Sequence, residues 1–265
     1  MQASLFPDFP HGNQPAASRL SPASPINVGC AGWSLPRAAW LEFPEAGTHL
    51  QRYAARLNAV EINSSFYRPH QSATYARWAA SVPDNFRFSV KLPQTITHQQ
   101  RLVGCGERLD DFLAQATCLG RHLGCLLVQL PPSLAFNAAV ADDFLRLLRQ
   151  RHAGPVALEP RHASWFTAPA DSLLHAWNIG RVLADPVVHE AGRLPGGFAG
   201  LVYVRLHGSP RMYCSAYDRT ALQALKIRLE AAAQPGVAVW CIFDNTAEGA
   251  AIDNALHTLR GLAPG

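Results

Sequence analysis

The feature that most constrains the fold of this chain is the regular alternation of short β-rich runs with helical segments. Residues 86–91 and 155–159 are typical runs, because in both an apolar stretch ends in a charged residue. Strands that alternate with helices form parallel βαβ units. Eight runs of this kind occur, at residues 26–30, 59–63, 86–91, 124–129, 155–159, 179–184, 201–206 and 237–243.

Eight such units in about 240 residues match a closed (β/α)8 barrel of the TIM type. We therefore predict an α/β protein with a single TIM-type barrel over residues 26–265. Residues 1–25 contain five prolines and little periodicity, so they are predicted to form a flexible proline-rich tail. The sixth unit, after residue 184, is glycine-rich and has only a weak helical pattern. Helices are predicted near residues 47–57, 71–80, 107–119, 137–151, 169–177, 217–233 and 247–260.

Composition limits the classes of partner. Of the 265 residues, 48% are hydrophobic and 16% are charged, which is normal for a chain that buries a substantial core. The net charge of +4 is spread along the chain, which favours a small anionic molecule as partner over nucleic acid. No apolar run approaches the roughly 18 residues of a spanning helix, so no membrane partner is expected. The six cysteines form no C-x-x-C pair, which favours a cytoplasmic protein with reduced thiols.

Charged side chains follow the runs at the strand ends where this fold carries its chemistry. Glu61 and Asn63 are two residues apart on one run and therefore share a face. A buried carboxylate is unfavourable unless a cation meets it, and Lys91, Arg161 and Arg205 are the candidate cations. Two interpretations are open: a buried salt-bridge network that only stabilises the barrel, or a ligand site.

The interpretation as a ligand site assigns roles to individual residues. Glu61, Glu159 and His207 are predicted to carry acid–base steps, and an imidazole titrates near neutrality. Arg161 is suited to bind a carboxylate or phosphate through two parallel hydrogen bonds. The predicted substrate-binding residues are Asn63, Tyr67, Lys91, His98, Gln129, Arg161, Trp165, Asp185, Arg205, Asp244 and Asn245.

A metal site is the less favoured interpretation. Carboxylates and His207 could converge as metal ligands. The three candidate cations, however, are predicted at the same end of the barrel, and their charges oppose the binding of a divalent ion. The sequence also lacks an H-E-x-x-H motif, a Walker lysine loop and a G-x-G-x-x-G motif. We therefore predict neither a metal nor a cofactor.

Several motifs resemble signature blocks of the YecE-like family, which is known as domain of unknown function 72. These are VGCAGW at residues 28–33, EINSSFY at 61–67, FSVKLP at 88–93, QLPP at 129–132, EPR at 159–161, YVRLHG at 203–208 and FDN at 243–245. The resemblance extends from about residue 26 to the end of the chain. It implies a TIM-type barrel and a bacterial or archaeal cytoplasmic protein, and it supplies no reaction. Asp244 departs from the family pattern, which usually has an asparagine there.

The function hypothesis is an enzyme that acts on a small anionic, sugar-like substrate, phosphorylated or carboxylated, by acid–base chemistry at the C-terminal mouth of the barrel. One alternative is a metal-dependent phosphodiester hydrolase that resembles barrel endonucleases, which rests on fold-level analogy. The other is a barrel that binds a ligand without turnover. The sequence leaves the oligomeric state open.

Overall fold

The computed structural model describes residues 25–262, so the predicted tail lies outside the described residues apart from Pro25. Ten strand segments form one continuous sheet. The segments are β1 Ile26–Ala31, β2 Ala59–Ile62, β3 Arg87–Lys91, β4 Leu123–Gln129, β5 Val156–Glu159, β6 Ile179–Arg181, β7 Leu183–Asp185, β8 Gly196–Gly197, β9 Leu201–Leu206 and β10 Ala238–Phe243.

The sheet forms a nearly closed barrel, in which the first strand pairs with both the second and the last strand. β1 pairs with β2 and with β10, and parallel pairing continues from β2 to β6. The predicted sixth strand is divided at Val182: β6 pairs with β5, whereas β7 pairs with β9. β9 in turn pairs with β10, which completes the circuit. The α/β barrel prediction is confirmed.

The strict eightfold repeat is not kept. Between β7 and β9 of the described chain, the only helical segment is the one-turn 3-10 helix Glu190–Gly192, and the short strand β8 runs antiparallel to β6. Glycine and proline are the poorest helix formers, and this segment contains Pro186, Pro195 and a Gly-Gly pair, which accounts for the missing helix.

The α-helices lie close to their predicted positions, with one addition. The segment after β2, for which no helix was predicted, forms a single helical turn, Ser64–Tyr67. Asn137, at the start of the helix predicted over residues 137–151, is its N-cap and accepts a hydrogen bond from the Val140 backbone at 3.1 Å. The helices are α1 His49–Ala54, α2 Ser64–Tyr67, α3 Ser72–Ala80, α4 Gly106–Ala116, α5 Ala138–Arg151, α6 Ala168–Ala176, α7 Arg219–Ala232 and α8 Ala250–Gly261.

Strand alternation places the polar residues inside the barrel. Successive strand residues point to opposite faces, so residues such as Val60 and Ile62 pack in the large core under the helices. The other face carries a separate apolar cluster in the barrel interior, which includes Ala59, Tyr203 and Trp240. Two residues further along the strands, the same inner face carries charged groups. The barrel interior is therefore apolar towards the amino ends of the strands and charged at their carboxyl ends.

Among residues 25–262, we find no helix with the length and apolar character needed to cross a lipid bilayer.

Candidate active site at the carboxyl ends of the strands

Arg205, in β9, is the centre of a buried ion network. Its Nε lies 3.0 Å from Glu61 Oε2 and its Nη2 lies 2.7 Å from Glu61 Oε1, so this pair is bidentate. Arg205 Nη1 donates to Glu159 Oε2 at 2.6 Å, and Nη2 also donates to Asp244 Oδ2 at 3.0 Å. One guanidinium thus holds carboxylates from three different parts of the barrel mouth, through four of its five N–H donors.

His207 connects two of these carboxylates. Its Nδ1 lies 3.0 Å from Asp244 Oδ2 and its Nε2 lies 3.1 Å from Glu159 Oε1. Arg161 shares the same Glu159 oxygen, with Nε at 2.9 Å and Nη2 at 2.7 Å. His207 Nε2 also lies 3.3 Å from Arg161 Nη2. The carboxylate oxygens are closer to both ring nitrogens, and the doubly protonated imidazolium satisfies these two contacts at once.

The pKa shifts in the network follow from this geometry. Burial disfavours charge on the His207 ring, but its hydrogen bonds to Asp244 and Glu159 outweigh burial and raise the pKa of His207. Burial alone would raise the pKa of Glu159, yet the Arg205 charge and the His207 hydrogen bond hold it well below its usual range. The pKa of Asp244 is lowered against burial by the same two partners. We therefore describe the network with ionised carboxylates and a charged imidazole.

Tyr203 is a network member that the sequence did not suggest. Its hydroxyl lies 2.8 Å from Glu61 Oε2 and 2.8 Å from Ser89 Oγ. An ionised carboxylate only accepts, so the Tyr203 proton points to Glu61 and Ser89 donates to Tyr203. A tyrosine within an apolar run is typical of core packing, and Tyr203 also stacks on Trp240. The available signal was its position two residues before Arg205, which places both side chains on the same face.

Lys91 stands apart from this network. Within residues 25–262 its Nζ makes no hydrogen bond and has no carboxylate oxygen within 4.0 Å. The ammonium instead lies 4.2 Å from the centroid of the Phe66 ring, a cation–π contact. Burial and the like charge of Arg205 lower the pKa of Lys91 to about 8, although Glu61, Glu159 and Asp244 oppose this shift.

The network residues differ in their access to solvent. Glu61 is fully buried, and Glu159, Arg205 and His207 are each 1% exposed. The Asp244 side chain is 14% exposed and that of Arg161 is 11% exposed, while Lys91 is 8% exposed. Lys91, Arg161 and Asp244 are therefore the solvent-accessible charged residues of this group, and the predicted acid–base residues Glu61, Glu159 and His207 are more deeply buried.

Two of the predicted binding residues line the mouth close to Lys91. The ring of His98 lies 4.9 Å from that of Phe66, and burial followed by the charges of Lys91 and Arg161 lowers the pKa of His98. Asn63 follows the last residue of β2, Ile62, which pairs with Val90, the residue before Lys91. Its Oδ1 is buried and has no hydrogen-bond partner in the described chain. Gln129 is paired with Glu159 in register and is half-buried.

The structure places other predicted binding residues outside the network. Asp185 accepts a hydrogen bond from the Tyr217 hydroxyl at 2.6 Å. Asn245 donates to the Ser215 carbonyl at 2.9 Å and to Asn254 Oδ1 at 2.9 Å. The Trp165 indole is buried and donates to the Leu134 carbonyl at 2.9 Å, so it does not form a wall of the mouth.

Tyr67, also predicted to bind substrate, is 72% exposed. With Phe66 it lines a cleft of about 200 Å³ beside the mouth. A second cleft of about 290 Å³ lies between the segments around Leu102 and Leu134. Neither cleft is lined by a residue of the ion network, so the ligand-accessible groups of the mouth are distinct from both clefts.

Possible metal ligands are engaged with cations. Within the part of the chain that the structure describes, no three His, Cys, Asp or Glu side chains are arranged to hold a metal ion. Glu61, Glu159 and Asp244 all contact Arg205. The prediction of no metal and no cofactor stays a prediction.

Comparison with known proteins decides the family. A family model described as a protein of unknown function, DUF72, matches residues 27–264. The chain belongs to the DUF72 family. The resemblance to the YecE-like family is confirmed by the UPF0759 protein YecE of Escherichia coli K12, which is 34% identical over 173 residues. That alignment covers 63% of this chain and 61% of the E. coli protein, so it spans about three fifths of that relative's length.

A second relative and two crystal structures match over more of the chain. The UPF0759 protein YunF of Bacillus subtilis is 25% identical, with 90% of this chain and 98% of that protein covered. A DUF72 family protein from Enterococcus faecalis has a TM-score of 0.75 at 22% identity, with 91% of this chain and 97% of that chain covered. A DUF72 family protein from Thermotoga maritima has a TM-score of 0.71 at 23% identity, with 89% and 98% covered. These two structures share the barrel fold with this DUF72 protein.

Proposed function

We propose that this DUF72 protein is an enzyme that binds a small phosphorylated or carboxylated molecule at the barrel mouth and moves protons through the Asp244–His207–Glu159 chain. The observation that carries the proposal is the unpaired ammonium of Lys91. Binding sites commonly keep charges that the protein itself does not neutralise, because the ligand neutralises them.

Counting charges supports an anionic ligand. The carboxylates of Glu61, Glu159 and Asp244 balance Arg205, Arg161 and a protonated His207. Lys91 then adds one positive charge that has no counterion in the described chain. Arg161, whose charge acts on His98 together with that of Lys91, uses Nε and Nη2 for Glu159 and has Nη1 for a ligand. An anion held by a guanidinium and an ammonium gains charge-assisted hydrogen bonds from both.

The proton path follows from solvent access. Asp244 reaches the mouth and contacts His207, whose other nitrogen contacts Glu159. When Asp244 takes a proton from a bound substrate, the imidazolium behind it can pass its Nε2 proton to Glu159, so the ring becomes neutral and Glu159 is protonated. Glu61 is fully buried and Arg205 holds the three carboxylates, so both serve to position this chain.

The test is a thermal-shift screen that pairs each anionic metabolite with a neutral analogue. An anion at one hundred times its dissociation constant should stabilise the protein by about 2.7 kcal/mol. The stabilisation should disappear in Lys91→Met and persist in Lys226→Met, which removes the other lysine of the chain. Each binding compound is then incubated with the protein, with and without a chelator, and products are sought by mass spectrometry.

Neutral analogues that stabilise as well as the anions, or full stabilisation in Lys91→Met, would contradict the proposed site. An anion that binds through Lys91 and is recovered unchanged would favour a non-catalytic barrel. Turnover that a chelator abolishes would favour the metal-dependent alternative.

A further inference from the structure

We propose that Lys91 is also a nucleophile, which forms an imine with an aldehyde or ketone that carries a carboxylate or phosphate group. The inference rests on the proposed function, because it uses the same mouth and the same anionic class of ligand, and it adds a carbonyl group to the substrate. The observations that lead to it are the contacts of the Lys91 side chain and the groups around its nitrogen.

A lysine is usually found paired with a carboxylate or in full contact with water, and Lys91 has neither environment. It is 8% exposed, and its Nζ lies against the Phe66 ring rather than against an acceptor. The neighbouring carboxylates are bound to Arg205 and Arg161, which keeps them from drawing Lys91 into an ion pair. An amine that is desolvated and close to another cation loses its proton readily and becomes nucleophilic.

The backbone at Lys91 is firmly held. The Ser65 hydroxyl donates to the Lys91 carbonyl at 2.7 Å, and the Lys91 residue is the last of β3. The inner-face position directs its side chain into the mouth. A nucleophile anchored on a barrel strand has the fixed position that covalent chemistry requires.

The lowered pKa of about 8 for Lys91 agrees with this geometry. At pH 7 about one tenth of such amines are neutral, compared with fewer than about one in a thousand for an ordinary lysine with a pKa of about 10.4. The nucleophilic form is therefore available near neutral pH without a dedicated base.

The groups nearby suit both ends of the substrate. Arg161 can hold the anionic group. Asn63, which follows β2 beside the end of β3, has a buried Oδ1 without a hydrogen-bond partner in the described chain, and this oxygen can accept from the hydroxyl of the first adduct. In the reaction the Lys91 nitrogen bonds to the carbonyl carbon as the C=O π bond breaks. Two of the three ammonium protons end on the oxygen, which leaves as water, and an iminium remains. Its single positive charge replaces that of the ammonium, so the attraction for the anionic group is kept.

Only two lysines occur in the chain, Lys91 and Lys226, so the reaction can be followed residue by residue. The full-length protein is incubated at pH 7 with glyoxylate and cyanoborohydride, and modification of each lysine is measured by peptide mass spectrometry. Acetaldehyde serves as the uncharged aldehyde. Lys226 is partly exposed beside Glu230 on α7 and provides the internal reference.

We expect glyoxylate to modify Lys91 at least about one hundred times faster than Lys226, following the neutral fractions of an amine with a pKa of about 8 and of an ordinary lysine. The preference should be smaller with acetaldehyde and should shrink as the pH is raised, because the neutral fraction of Lys91 stops increasing above its pKa of about 8. Lys91→Arg keeps the positive charge and cannot form an imine, so it should bind the anion without being modified at this position.

The outcomes separate the two proposals. If anions stabilise both the wild type and Lys91→Arg, but Lys91 is modified no faster than Lys226, the imine is excluded and the anion site stands. If no anion stabilises the wild type and Lys91 shows no preference, both proposals fail. Selective modification by glyoxylate together with a trapped adduct supports both.

Discussion

Arg205→Met is expected to lower the free energy of unfolding by at least about 3–5 kcal/mol at pH 7, the usual loss when one partner of a buried ion pair is removed. The guanidinium contacts Glu61, Glu159 and Asp244, and its side chain is 1% exposed. Methionine has similar length but no donors, so three carboxylates would remain in a low-dielectric interior with reduced compensation. Urea unfolding of the two proteins measures the difference.

Arg146→Met is the matched control, because Arg146 pairs with Asp143 at 2.6 Å on the surface of α5. A surface pair of this kind contributes roughly 0–1 kcal/mol.

The pKa values of Glu159 and Asp244 are lower in the folded protein than in the unfolded chain, where they are about 4. The stability that this difference gives is present above about pH 4 and is lost as the pH falls through the folded-state pKa values. The Arg205→Met deficit should therefore shrink below about pH 4. A loss no larger than that of the control would contradict the role given to Arg205.

Lys91→Met is expected to have the opposite effect and to raise the free energy of unfolding at pH 7. The pKa of Lys91 is lowered from 10.5 to about 8, which means that the fold disfavours its charged form. One pKa unit corresponds to about 1.4 kcal/mol, so a shift of this size gives a gain on the order of 3 kcal/mol. Methionine gives up the cation–π contact with Phe66 and removes the uncompensated charge.

The pH dependence fixes the sign of this prediction. A group with a lowered folded pKa and a positive charge destabilises the fold below that pKa, and the penalty disappears as pH rises to the unfolded value. The advantage of Lys91→Met should therefore be full below about pH 8 and vanish near 10.5. Lys226→Met, which removes a partly exposed lysine 4.0 Å from Glu230, should change stability by less than about 1 kcal/mol. Destabilisation by about 3 kcal/mol in Lys91→Met would show a structural ion pair instead.

The barrel and the convergence of its charged residues could be predicted, because both depend on local periodicity. The alternation of faces along β2, β5 and β9 carries Glu61, Glu159 and Arg205 to one end of the interior, as the runs of the sequence indicated. The division of the sixth strand at Val182 could not be predicted, since it depends on which neighbour each half pairs with.

The distribution of partners inside the mouth could not be predicted either. Sequence position made Lys91, Arg161 and Arg205 equivalent cations, whereas in the fold Arg205 takes three carboxylates and Lys91 takes none. Which cation pairs with the carboxylates depends on the planar guanidinium group of arginine, which can bind a carboxylate through two hydrogen bonds, and on distances across the barrel. Asp244, which departs from the usual asparagine, accepts from both Arg205 and His207, and a carboxylate can satisfy two such donors on one oxygen.

The most direct measurement for the central claim, that Lys91 is an unpaired cation awaiting an anionic ligand, is its own titration. Lysine labelled with 13C at Cε gives one side-chain signal for Lys91 in Lys226→Arg, because the chain has two lysines. We predict a titration midpoint at about 8, which moves upward when phosphate or a carboxylate ligand is added, since a bound anion favours the charged form. A midpoint near 10.5 or above that anions do not change would contradict the account and show Lys91 to be an ordinary or paired ammonium.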